Sequence, residues 1–169
     1  VEKEYAFVDE MAALRPKGMP GGNLERFDYW LNNFRYLRAV GRVNCLWAQF
    51  NAAMEEVRKE SDPGKRKELA RTRALAVRRK LVGQVTEAHR FLLATITTTG
   101  GMGTVANWQQ HLLPNLLIKP GEELAGILGE ELPQEANPLP SYDGPPRMIV
   151  PTVRTSLSPG EDLRLKVIL

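Results

Sequence analysis

Apolar residues recur every three or four positions along two long stretches of this chain, and that period predicts two long helices. Across 24–60 the set is Phe27, Trp30, Leu31, Phe34, Leu37, Val40, Val43, Trp47, Phe50, Met54 and Val57, a sustained stripe along one side of a helix. Across 63–97 the inner stripe reads Ala70, Ala74, Val77, Leu81, Val85, Ala88, Leu92 and Thr95. Ser61-Asp62-Pro63-Gly64 separates them. Asp62 suits the N-cap and Pro63 the first helical turn, where a missing N–H needs no partner. So short a connection makes the arms antiparallel neighbours in an αα-hairpin, each roughly 50 Å long at ~1.5 Å per residue. Asn23 is the expected cap of the first arm. Ahead of it, Tyr5, Val8 and Ala12 predict a shorter helix within 1–14, stopped by Arg15-Pro16 and the Gly18–Gly22 break.

Beyond the second arm the pattern weakens. The β-branched run at 95–99 and then Gly100-Gly101 should end that helix. Thr104 is placed to cap a short helix over 105–113, closed by Pro114, and a further helical turn or two fits 122–128. Five prolines between 132 and 146 argue for an extended connector. The period then changes to two. Met148-Ile149-Val150 is strand-like, Ser158-Pro159-Gly160-Glu161 is a turn, and Leu163, Leu165, Val167 and Leu169 alternate with Asp162, Arg164, Lys166 and Ile168. The expected fold is therefore mainly α: a long antiparallel helical hairpin with short flanking helices, followed by a partial β-sandwich hairpin. Three regions follow: a helical domain over 1–131 built on the 24–60 and 63–97 hairpin, a proline-rich connector over 132–146, and incomplete sandwich strands over 147–169.

Trp30, Leu31 and Phe34 spread over more than one narrow seam, so two helices alone do not cover them. The N-terminal helix, the remainder of a larger polypeptide or another chain is expected to complete that burial. The start at Val1 and the end at Leu169, inside an apolar alternation, give both termini the look of cuts. Composition is that of an ordinary globular chain, with 43% hydrophobic and 25% charged residues in 169. No apolar run reaches the ~20 residues needed to cross a bilayer, which argues against a membrane partner. The single cysteine, Cys45, has no internal disulfide partner and falls on an apolar stretch, where a buried thiol is expected.

The net charge of +3 conceals an asymmetry. Lys65, Arg66, Lys67, Arg71, Arg73, Arg78, Arg79 and Lys80 crowd the start of the second arm, while Glu122, Glu123, Glu130, Glu131 and Glu135 crowd a later segment. The basic cluster is one route to nucleic acid. Its charges surround the helix instead of lining one stripe, and no aromatic is interleaved for stacking, so a solvated face balanced by the acidic segment is the preferred reading. Arg35, Arg38 and Arg42 share a face that suits a carboxylate or phosphate, or pairing within the fold.

No catalytic constellation emerges: no two carboxylates are placed as acid and base, and the histidines, His89 and His111, lack metal-ligand spacing with Cys45. No metal and no cofactor is implied. Gly100–Thr104 precedes a helix but follows one too and lacks the Gly-Lys-Ser/Thr ending of a phosphate loop. The candidate ligand contacts are Asn107, Trp108, Gln110 and His111. Together with Gln109 they set an indole among hydrogen-bonding groups, a mixture that suits the apolar face and hydroxyls of a sugar. It also suits a buried tryptophan that locks a loop to the helix pair with its N–H satisfied by a neighbour, and that structural reading is the preferred one.

Three segments carry a resemblance. Phe27-Asp28-Tyr29-Trp30-Leu31-Asn32-Asn33-Phe34-Arg35-Tyr36, Gly103-Thr104-Val105-Ala106-Asn107-Trp108-Gln109-Gln110-His111 and Ser156-Leu157-Ser158-Pro159-Gly160-Glu161 resemble the region after the catalytic barrel in large bacterial glycoside hydrolases, where a helical insert leads into an immunoglobulin-like sandwich. That resemblance implies a non-catalytic accessory module of a carbohydrate-active enzyme, supporting or bordering a glycan-binding cleft, with polysaccharide as a partner and a secreted or periplasmic location. It transfers no catalytic residue. The alternatives are a helical protein–protein interaction or dimerisation module and, behind it, nucleic-acid binding through the basic helix.

Overall fold

A computed structural model describes residues 1–15, 20–96, 100–137, 147–149, 158–162 and 166–168. The fold is mainly helical. Helix α1 spans Phe7–Ala13, α2 Gly21–Lys59, α3 Pro63–Leu69 and α4 Leu75–Thr95. A π-helical turn, Ala70–Ala74, joins α3 to α4 so that the second arm runs without a break from Pro63 to Thr95. The two arms lie antiparallel, as the short connection requires. Asp62 caps the second arm, its carboxylate accepting from the Lys65 N–H at 2.8 Å with Pro63 at the first position.

The first arm starts earlier than its apolar stripe indicates. Pro20, not Asn23, is the residue before it, and Asn23 donates its backbone N–H to the Pro20 carbonyl inside the first turn. A proline N-cap leaves no side-chain acceptor, so the chain is led into the helix by backbone bonds alone. Cys45 is exposed, contrary to expectation. The face of α2 that meets α4 runs through Ala39, Val43, Phe50, Ala53, Met54 and Val57, and Cys45, two residues after Val43, lies ~200° round the helix from it.

A third layer covers the hairpin. Helix α5, Gly101–Asn107, continues through π-helical turns at Trp108–Leu112 and Pro114–Ile118 into α6, Lys119–Leu128. Two expectations fail here: Thr104 lies inside α5 and caps nothing, and Pro114 does not end the helix. Proline lacks the N–H that an α-helix interior needs, and the π turn absorbs that loss without stopping the chain. The π turn also sets the packing register. Buried positions run Val105, Trp108, Leu113, Leu117, Leu124 and Leu128, and the five-residue step from Trp108 to Leu113 keeps both on the inner side only because the turn between them holds an extra residue. Gly129, at φ 65°, ends α6 in the left-handed conformation, with the Glu130 and Gly129 N–H groups both directed to the Ala125 carbonyl.

The described start of the connector is anchored rather than fully extended. Gln134–Ala136 form a 3₁₀ turn and Ala136 is completely buried. Strands β1, Arg147–Ile149, and β2, Lys166–Ile168, pair antiparallel with Met148 opposite Val167. Among the described residues this two-stranded ladder is all the sheet there is, and no second sheet stands opposite it to make a sandwich. The expected turn at 158–161 is present: Glu161 N–H donates to the Ser158 carbonyl at 3.0 Å and Gly160 takes φ 83°, the type II geometry that wants glycine at its third position. Val150, Leu163, Leu165 and Leu169 lie outside the described residues.

Candidate functional site

Three places on the helical body concentrate chemistry. The first is Trp108. The π turn carries its ring inward, where it is buried, with the Tyr36 ring centroid 6.1 Å away on one side and the His89 ring 6.0 Å away on another. Its Nε1 donates to the Tyr36 hydroxyl at 3.1 Å. Burial of the phenol raises the Tyr36 pKa above its ordinary value, which keeps the hydroxyl protonated. The indole thus ties the third layer to both arms of the hairpin. Asn107, Gln110 and His111 are exposed, so the four expected ligand contacts do not converge: one points into the core and three outward. His89 is buried with neither ring nitrogen hydrogen-bonded among the described residues, and desolvation lowers its pKa.

The second place is Arg78, which sequence reasoning set among the solvated charges of the basic cluster. It is 1% exposed. Its Nε donates to the Ala136 carbonyl and one terminal nitrogen to the Leu117 carbonyl, each at 2.8 Å, while the other terminal nitrogen, Nη1, has no partner among the described residues. No carboxylate pairs with it among the described residues, and desolvation lowers its pKa. A signal for this was present in the spacing: Ala74, Arg78, Leu81, Val85 and Ala88 step by four and three, so Arg78 stands in register with the buried stripe, and Val77, assigned to that stripe, is only half-buried. Gly121 makes room for it. A Cβ there would stand 2.4 Å from the Arg78 Nη2. Beside them is a cavity of about 410 Å³ with Arg78, Gly121, Leu117, Ala125, Leu132 and Glu131 in its wall.

The third place is the N-terminal end of α2. Arg15 forks onto Asp28 at 2.7 and 2.8 Å, Arg38 meets Asp9 at 2.9 Å and Arg42 forks onto Glu2 at 2.7 and 2.6 Å. These pairs lay the first 15 residues along α2, and they are the intramolecular use of Arg38 and Arg42. They also hold the carboxyls of Glu2 and Asp28 below the usual carboxylate range. The cover is incomplete. Phe7 packs edge-on against Phe34, with ring centroids 5.1 Å apart, and Leu31 is buried, but Trp30 stays 52% exposed and Leu37 45%. A shallow hollow of about 360 Å³ opens there between Met11, Asn23, Arg26, Phe27, Trp30 and Phe34.

The acidic segment answers the basic cluster. Arg58 forks onto Glu123 at 2.7 Å, Arg71 meets Glu130 at 2.7 Å and Arg79 meets Glu135 at 3.1 Å. The Glu123 and Glu130 pairs join a hairpin arm to the third layer, and the Glu135 pair joins one to the start of the connector. Comparison with known proteins finds no match, whether among family models, curated proteins or solved structures. The chemistry of these three places therefore rests on their own geometry.

Proposed function

We propose that this chain is a non-catalytic helical interaction module that receives an amphipathic helix of a partner protein in the aromatic hollow at the N-terminal end of α2. The observation that carries this reading is the row Phe27, Trp30, Phe34 and Leu37. Its three-four-three spacing is the seam of a coiled coil, and α1 covers it only in part. Contiguous exposed apolar surface marks interaction sites more often than chance does, and helix-in-groove recognition reads such i, i+3, i+7 anchors. The seam extends over only three turns. Four side chains are few beside the roughly 20–30 residues a side of a stable complex, which favours a regulated or weak partner over an obligate dimer. Arg26 on the rim favours an acidic flank on the incoming helix.

Selection from a displayed library of amphipathic 18-residue helices tests the reading. Binders should emerge that lose at least tenfold in affinity against Trp30→Ala/Phe34→Ala. Binders that hold the double variant equally well, or none at all, would overturn it.

A narrower reading, an accessory module of a carbohydrate-active enzyme beside a glycan cleft and leading into a sandwich, rests on the resemblance of three segments. One observation favours it: the half-exposed Trp30 indole, with the Tyr29 ring edge-on to it at a centroid separation of 5.4 Å, is open to a sugar face. Trp108 is not so placed. Retention on polysaccharide gels that disappears in Trp30→Ala but persists in Asn107→Ala would support this reading, and absence of retention in the unaltered chain would dispose of it.

A further inference from the structure

We propose that the cavity beside Arg78 is a binding site for a small zwitterion, a carboxylate that carries its own ammonium group and an apolar side chain. The guanidinium is closed off from solvent, and backbone carbonyls of the connector and the third layer take two of its nitrogens. The remaining nitrogen donates to nothing among the described residues, and a buried cation of this kind is stable when an oxyanion completes it. The cleared space at Gly121 and the two backbone bonds hold the fork in place before any ligand arrives, as a binding site requires. Loss of hydration lowers the Arg78 pKa, and a bound carboxylate would restore what burial removed.

The wall decides which anion. Glu122 and Glu131 line the same cavity and are exposed to solvent. Two carboxylates in the lining repel phosphate and other multiply charged anions, and they attract a ligand that brings a positive charge with its carboxylate. Leu117, Ile118, Ala125 and Leu132 supply the apolar part of the lining. At about 410 Å³ the cavity falls within the range of small-molecule pockets.

Calorimetric and thermal-shift titrations of the whole chain with leucine, leucinamide, N-acetylleucine and inorganic phosphate test the assignment. Leucine should bind saturably. Leucinamide, which lacks the carboxylate, and N-acetylleucine, which lacks the ammonium, should each bind at least tenfold more weakly, and phosphate should not bind. Glu122→Gln/Glu131→Gln should reduce leucine to the level of N-acetylleucine. Because Arg78→Gln removes contacts that hold the connector, Ala125→Trp serves as the second variant: it fills the cavity from the wall, leaves Arg78 in place and should abolish leucine binding while the unfolding transition persists. No saturable effect of leucine, tighter binding of phosphate, or unchanged leucine binding in Ala125→Trp would each overturn the proposal.

Discussion

Two buried titratable side chains, Arg78 and His89, face the same physical difficulty and meet it differently. The guanidinium keeps its charge and draws two backbone carbonyls to itself. The imidazole has no partner for either nitrogen among the described residues and is therefore held neutral by burial. That state has a pH signature. In the unfolded chain His89 takes up a proton below its ordinary value of about 6.5; in the folded chain it does so only at lower pH. Below about pH 6.5 the unfolded state thus binds more protons, and stability falls as pH falls, by up to about 1.4 kcal/mol per unit until the folded group titrates. Above that pH the contribution is constant. Urea unfolding between pH 7.5 and 5.5 should show this decline in the unaltered chain and its loss in His89→Leu. The ion-paired carboxylates of Glu2, Asp28, Glu123 and Glu130 have lowered values, so their contribution is lost only at more acid pH and does not mask the effect. Parallel profiles for the two chains would refute the assignment.

At the scale of elements, the long arms were legible because their period is carried by many residues at once, and the cap at Asp62 because its chemistry is local. Replacing Asp62 by Ala should cost about 1 kcal/mol of stability, the typical worth of an N-cap side chain, with an unchanged denaturant slope. A loss below a few tenths would mean that Pro63 and the packing of the arms fix the helix start without it. What was not legible depended on contacts far apart in sequence. Asn23 has the chemistry of a cap, but the backbone enters the helix three residues earlier at Pro20. Pro114 reads as a stop in every local rule, yet the third layer gains more from burying Leu113 and Leu117 on the hairpin than it loses at one π turn. Cys45 and Trp30 both belong to apolar runs, and both stay exposed because of where α4 and α1 lie across α2. Within the candidate site, the inward Trp108 agrees with the preferred reading of its segment, a buried indole whose N–H finds a neighbour. Arg78 was obscured by the seven basic neighbours around it, although its spacing agrees with the core.

For the molecule as a whole, the segregation of charge along the chain becomes a means of assembly. The basic start of the second arm and the acidic later segment meet in space through Arg71–Glu130 and Arg79–Glu135, and Arg58–Glu123 adds a forked pair between α2 and α6. These are solvent-exposed pairs, individually of small worth to stability, so their larger effect is on the external field. Every glutamate set against this face lowers the positive potential that a polyanion would meet. The basic cluster is therefore muted as a nucleic-acid surface while still being the most basic stretch of the sequence. Glu123→Gln/Glu130→Gln/Glu135→Gln tests this, since it removes three negative charges without shortening a side chain. The unaltered chain should elute from heparin at low salt. The triple variant should elute later and bind oligonucleotides with a steeper dependence of log affinity on log salt, because more phosphates are then neutralised per binding event. Should both chains elute together, the pairing would be of no electrostatic consequence. Strong, salt-steep binding by the unaltered chain would instead restore nucleic acid as a partner, because seven exposed or half-exposed cations would then suffice despite the glutamates opposite them.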